Sequence, residues 1–291
     1  MLDIGNSYTD NYTEYLPYIF ETLSKEYNNC VSLFIAERGG ASFKSWVDIY
    51  NNLGGEYCIK RILGPSDTNI AEGVASKYDG SLFRKSLNFR NWDLIIIHHL
   101  STFSTSFSDW ESNEESGYLP NLIKIIREIQ PNALIGYLLG HSYADAYSCN
   151  TERSSYERWL NIIEATKRLK EAYDVDIIIP CGTAIENLRM SSYNNEHDLT
   201  IDGTHLASGL AKYIAACRYY ETIFSAITTR PILNTDFKYK VTSKDLNVLY
   251  SSSCISVNRC LAKIAQISAK SATYDWYNCY NPETISIHSF Q

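Results

Sequence analysis

Five short apolar runs separated by stretches of helical pattern constrain this chain more than any other feature. They lie at residues 2–5, 31–36, 93–98, 133–139 and 175–180, and each is continuous rather than alternating. Continuous apolar strands are those buried on both faces. Strands separated by helices imply a parallel sheet with right-handed crossovers. Helical patterns at 10–27, 119–129 and 155–173 supply the crossovers, and 205–224 reads as a closing helix. The expectation is an α/β protein, a three-layer α/β/α sandwich around a five-stranded parallel sheet.

Two segments depart from this rhythm. Residues 50–91 contain Gly54-Gly55, Gly64-Pro65 and polar stretches, and read as a long excursion over the sheet edge. After Pro231 the pattern changes again, with serines at 251–253, a helical segment near 257–272 and an aromatic tail at 274–280. The expected organisation is a main domain over 1–230 and a C-terminal extension over 231–291 docked on it.

Composition narrows the function. The chain has 291 residues, a net charge of −7 and no cluster of Lys or Arg, so nucleic acid is not an expected partner. No apolar run is long enough to span a bilayer, so membrane insertion is not expected either. None of the eight cysteines forms a Cys-x-x-Cys pair, and no Cys/His group has zinc-site spacing. Neither a metal nor a cofactor is expected. Cys181 and Cys217 sit in apolar segments, as buried free thiols do. The first strand starts at the first residue, and a motif is complete by Ser7. That abruptness suits a periplasmic or secreted chain whose signal segment has been trimmed, with a cytoplasmic start as the alternative. Nothing in the sequence points to an oligomeric state.

In a parallel α/β sheet, ligands bind at the carboxyl ends of the strands. There the sequence places Gly5-Asn6-Ser7, then Gly39-Gly40, His98-His99 and Gly140-His141-Ser142-Tyr143, and finally Asp202-Gly203-Thr204-His205. Ser7 at a strand-to-helix turn exposes its hydroxyl near the positive end of a helix dipole. The same residue, three before Asp10, also fits a helix cap. Asp202 and His205 are three apart across a glycine. The carboxylate can then reach one imidazole nitrogen while the other faces a cleft, as a general base requires. Asp202 or Thr204 could equally be an N-cap. His141 and Tyr143 are candidates for substrate contact. Adjacent strand residues point to opposite faces, so His98 and His99 would not readily share one metal ion.

Taken in order, Gly5-Asn6-Ser7, Gly39-Gly40 and Asp202-x-x-His205 resemble the first, second and last sequence blocks of the SGNH (GDSL-like) hydrolases. More narrowly, residues 2–10, 92–101 and 179–224 resemble a bacterial branch of that superfamily. The resemblance implies a flavodoxin-like fold and hydrolysis of carboxylic esters through an acyl-enzyme. Ser7 would be the nucleophile, His205 the general base and then acid, and Asp202 the residue that orients it. The N–H groups of Ser7 and Gly40 would form an oxyanion hole, with Gly39 an alternative to Gly40. The superfamily's third block usually offers an asparagine there. This chain has His98-His99 instead, and a neutral histidine can still donate one N–H. No Gly-x-Ser-x-Gly elbow occurs, which disfavours an ordinary α/β-hydrolase.

The expected substrate is a small-molecule or glycan ester, foremost an O-acetyl group on carbohydrate. The 23 tyrosines and 5 tryptophans suit a sugar-lined cleft, although packing accounts for such residues as well. A lipid esterase or lysophospholipase is the enzymatic alternative. A carbohydrate-binding relative without turnover is the non-enzymatic one.

Overall fold

The computed structural model describes residues 1–27, 30–64, 72–98, 112, 117–147, 154–233 and 235–286. Its strands are β1 (Leu2–Gly5), β2 (Leu33–Glu37), β3 (Tyr57–Leu63), β4 (Gly73–Ala75), β5 (Leu94–Ile97), β6 (Leu134–Leu138) and β7 (Ile177–Ile179). Its helices are α1 (Ser7–Thr13), α2 (Leu16–Ser24), α3 (Phe43–Tyr50), α4 (Ser81–Asn88), α5 (Tyr118–Ile129), α6 (Ser155–Ala172), α7 (Cys181–Arg189), α8 (Leu210–Ile223), α9 (Ser225–Thr228) and α10 (Arg259–Tyr274). The chain is an α/β protein whose one sheet, in the order β4-β3-β2-β1-β5-β6-β7, is flanked by helices.

The sheet has seven strands, not the expected five, and is mixed. β1 pairs in parallel with β2 and β5, and β5 with β6, while β3 is antiparallel to both β2 and β4. The two additional strands lie in the segment read as an excursion. Strand β3 escapes a search for continuous apolar runs because only part of it is buried. Tyr57, Ile59 and Leu63 are buried, whereas Lys60 and Arg61 between them are not. Burial alternates over Tyr57, Cys58 and Ile59 and then breaks at the adjacent Lys60 and Arg61, next to a register shift opposite Leu33 and Phe34. The central strands β1 and β5 are buried at every residue.

The helical pattern expected over 10–27 is two helices. Pro17 has no N–H to give to the carbonyl of Thr13, so the chain breaks after Thr13 and restarts at Leu16 with the proline in the first turn. In α5 the residues Leu119, Leu122, Ile123 and Ile126 recur at helical spacing and are all buried. Helix α3 opens with a reciprocal cap. The backbone N–H of Ser45 donates to Ser42 Oγ at 3.3 Å, and that of Ser42 donates to Ser45 Oγ at 3.1 Å.

The chain forms two compact units. The first comprises 1–10, 26–138 and 164–178; it carries β1 to β6 and most of β7, and helices α3, α4 and α5 pack together in it. Trp46 of α3 stands 4.9 Å from Phe83 of α4 and 5.9 Å from Tyr57 of β3, centroid to centroid. The second unit comprises 11–25, 139–163 and 179–291, with α7, α8 and α10 packed against one another. Every residue of α7 is buried. Arg218 of α8 is buried too, and its guanidinium donates to the Ala269 carbonyl at 2.8 Å and to Thr222 Oγ1. Asn187 of α7 donates to the Ser268 carbonyl at 3.0 Å. Among the described residues, no helix is long and apolar enough to cross a membrane.

Candidate active site

In the first unit, the carboxyl ends of the adjacent parallel strands β2, β1 and β5 carry Gly39-Gly40, Ser7 and His98. Ser7 is the first residue of α1 and is half-buried between the buried side chains of Asn6 and Tyr8. Its turn is held from three directions. The Asn6 amide donates to the Ala41 carbonyl at 3.1 Å, tying the serine turn to the glycine turn. Asn6 Oδ1 accepts the Tyr8 N–H at 3.0 Å. The Trp46 indole donates to the Gly5 carbonyl at 3.2 Å. A Cβ on Gly5 would stand 2.0 Å from Thr9 Oγ1, so any larger residue there requires the Thr9 hydroxyl to turn away.

Gly39 and Gly40 are exposed, and Gly40 has φ +65°, a left-handed conformation that favours glycine. His98 is fully buried, with its ring centroid 5.8 Å from that of Tyr8. His99, its partner in the expected oxyanion set, lies outside the described residues. One turn into α1, Asp10 pairs with Lys60 at 2.8 Å, and Lys60 also approaches Glu37 at 3.3 Å.

In the second unit, the structure brings Asp202 and His205 together. His205 Nδ1 donates to Asp202 Oδ2 at 2.6 Å. Asp202 Oδ1 accepts the backbone N–H groups of Thr204 at 2.9 Å and His205 at 2.8 Å, and the Thr204 hydroxyl at 2.8 Å. Burial opposes ionisation of Asp202. The hydrogen bonds from the His205 ring, from both N–H groups and from the hydroxyl outweigh it, and hold the carboxyl well below the usual carboxylate range. A carboxylate can only accept, so Nδ1 carries the ring proton and Nε2 of the neutral ring carries the lone pair. The two side chains are 34% and 40% exposed, so the pair is open to a reactant.

The turn is closed by its own chain. Thr200 and Leu206 form an antiparallel bridge, and the Ile201 N–H donates to the His205 carbonyl at 2.9 Å. Gly203 has φ +89°, and a Cβ on it would come within 2.7 Å of the Tyr147 side chain. The closing helix α8 consequently starts at Leu210 and not at 205.

The two candidates for substrate contact are enclosed. His141 is fully buried, with Nδ1 2.6 Å from the Tyr12 hydroxyl and Nε2 2.7 Å from the Thr204 carbonyl. Tyr143 is buried against Tyr147, and its carbonyl accepts from Arg158. A buried ion pair that the sequence reading missed lies beneath them. Arg189 pairs with Glu186, donates to Ser142 Oγ at 2.6 Å and to the Ser142 carbonyl at 3.0 Å, and reaches the Asp198 carbonyl. Its signal is two opposite charges, three apart, in an otherwise uncharged helix. Among the described residues, no three His, Cys, Asp or Glu side chains converge as a metal site.

Fold and site together define an α/β protein with a carboxylate–imidazole pair at a turn after its last strand. A family model, the domain of unknown function DUF4886, matches residues 1–254. The chain belongs to the DUF4886 family. It is similar in fold to a crystal structure of a DUF4886 family protein from Bacteroides uniformis, with a TM-score of 0.71 and 21% sequence identity over 98% of each chain. No curated protein matches it significantly.

Proposed function

We propose that this protein is a serine ester hydrolase of the SGNH type, with a flavodoxin-like three-layer fold, that removes small acyl groups, foremost O-acetyl groups on carbohydrate. The observation that carries this reading is the 2.6 Å hydrogen bond from His205 Nδ1 to an Asp202 carboxylate held ionised by its own turn. That arrangement leaves Nε2 as the basic nitrogen and stabilises the imidazolium formed when it takes a proton.

In this mechanism Ser7 Oγ attacks the ester carbonyl carbon while His205 Nε2 takes the hydroxyl proton. The N–H groups of Ser7 and Gly40, with Gly39 as the alternative and His98 or His99 as a further donor, receive the oxyanion. Collapse breaks the bond to the alcohol oxygen, which leaves with the proton from His205. Water, deprotonated by His205, then attacks the acyl-serine. The acid departs and Ser7 regains its proton.

The test is hydrolysis of acetyl, butyryl and octanoyl aryl esters by wild type and Ser7→Ala, with mass spectrometry after a serine-reactive phosphonate. Acetyl-selective turnover lost in the variant, with the label on Ser7, is the expected result. Preference for octanoyl would redirect the reading to a lipid esterase. A folded protein with neither turnover nor label would overturn hydrolysis and favour non-catalytic carbohydrate binding.

A further inference from the structure

The geometry points to His141 as the positioning residue of the Asp202–His205 pair, acting by a hydrogen bond from its Nε2–H to the carbonyl of Thr204. The inference rests on the reading above, in which that pair activates Ser7.

The assignment of protons is forced. The Thr204 carbonyl, 2.7 Å from Nε2, can only accept, so Nε2 carries the proton. Nδ1 of the neutral ring then accepts, and the Tyr12 hydroxyl at 2.6 Å is the donor. The oxygen of that hydroxyl accepts the backbone N–H of His141 at 3.1 Å. Burial first, and then the nearby guanidinium of Arg189, push the His141 ring well below its ordinary pKa and keep it neutral. The charged and titratable groups that face it are Arg189, Asp202 and His205.

Consider the peptide that joins Thr204 to His205. Its carbonyl end is held by His141, and its N–H end by Asp202 Oδ1 at 2.8 Å. The preceding peptide is held in the same way. The Gly203 carbonyl accepts the Ala144 N–H at 2.8 Å, and the Thr204 N–H donates to Asp202 at 2.9 Å. Two successive peptide planes are thus fixed at both ends, by the 141–144 segment on one side and by the carboxylate on the other. A peptide plane fixed at both ends sets the direction in which the next Cβ leaves the chain, here that of His205. The 141–144 segment is itself held by Arg189 through both Oγ and the carbonyl of Ser142. Without the His141 donor, the 204–205 peptide keeps only its N–H anchor and can rotate about it. The imidazole then leaves its alignment with Asp202 Oδ2, and misalignment at this scale costs about ten- to a hundredfold in rate.

The experiment compares His141→Gln, His141→Asn and Tyr12→Phe with wild type. The glutamine amide nitrogen reaches the place of the imidazole Nε2 and keeps the donor; asparagine reaches only the place of Nδ1. Three measurements are made on each: kcat and KM on an acetyl aryl ester, the downfield NMR resonance of the proton between His205 Nδ1 and Asp202, and thermal unfolding. The expected result is that His141→Asn lowers kcat about ten- to a hundredfold with KM within about twofold, and broadens or moves the resonance. His141→Gln should restore most of both. Tyr12→Phe should lower kcat in the same direction, because it removes the hydroxyl that holds both Nδ1 and the backbone N–H of His141 in place. A folded His141→Asn with unchanged kcat and resonance would overturn the inference. So would equal losses in Asn and Gln with the resonance intact, since that is a stability effect alone. Should His141→Asn not fold, full kcat and an unmoved resonance in Tyr12→Phe overturn it instead. Phosphonate labelling of wild-type Ser7 separates the two levels. Absence of label sinks the hydrolase reading, whereas the resonance reports on positioning without turnover.

Discussion

Asp202 accepts hydrogen bonds from two different atoms of His205, the ring Nδ1–H on Oδ2 at 2.6 Å and the backbone N–H on Oδ1 at 2.8 Å. One bond fixes the ring and the other fixes the backbone that carries it. The carboxylate therefore sets both the tautomer and the orientation of the imidazole.

Replacing one oxygen tests this directly. In Asp202→Asn the side-chain NH2 can face the ring nitrogen, and two donors cannot bond each other. The ring would turn its lone pair toward the amide and move its proton to Nε2, which is the wrong tautomer for a base. On the hydrolase reading, kcat should fall by about 10⁴-fold with little change in KM. A rate within tenfold of wild type, in a variant that melts normally, would remove Asp202 from the mechanism.

Acid should weaken the second unit through Asp245. Burial works against its ionisation. The Thr242 N–H and hydroxyl and the Tyr239 hydroxyl prevail, and hold the carboxyl down at about 2. A carboxyl lowered on folding contributes stability that is fully present above its unfolded value, about 4, and is lost as pH falls through its folded value. The unfolding midpoints of wild type and Asp245→Asn should therefore differ at pH 7 and converge between about pH 4 and 2. A gap that stays constant down to pH 2 would rule out a held carboxylate.

The two candidate oxyanion glycines should respond differently to alanine. Neither position has an atom within 4 Å of an added Cβ, but Gly40 has φ +65°. Gly40→Ala is expected to cost about 1 kcal/mol, and Gly39→Ala less than about 0.5 kcal/mol. Urea unfolding of the two variants measures the difference. Equal stability would mean that the turn does not need a left-handed residue.

Removing one partner of the buried ion pair should cost more than removing both. Arg189 and Glu186 have side chains that are 4% and 3% exposed, so losing either partner leaves a charge in a dry site. Arg189→Met is expected to destabilise by about 3–5 kcal/mol, and the double variant Arg189→Met/Glu186→Leu to recover part of that loss. Denaturant unfolding of single and double variants reads the coupling. A double variant no better than the single would show that the hydrogen bonds of Arg189 to Ser142 and Asp198 matter more than the pair.

What the sequence made legible follows from the range of the interactions. β1, β2, β5, β6 and β7 are short, mostly apolar runs, and such runs announce themselves locally. β3 is an antiparallel strand interrupted by the charged pair Lys60-Arg61, and β4 is three residues long, so neither leaves that mark. Likewise the spacing of Asp202 and His205 lies within one turn and could be read directly. Tyr12 and His141 are 129 residues apart, and Arg189 meets Ser142 over 47. No local pattern encodes contacts of that kind. The position of His141 after a strand is visible in the sequence, and its partners Tyr12 and Thr204 are not.

The margins of the sheet have a consequence of a different kind. Among the described residues its longest strand, β3, lies inside, while the outermost strands, β4 and β7, are three residues long. An exposed edge recruits other chains by offering a row of unpaired backbone groups, and three residues offer too few to template a ladder. A sheet that tapers at both sides protects the chain against edge-to-edge aggregation without help from charge or proline on the strands themselves.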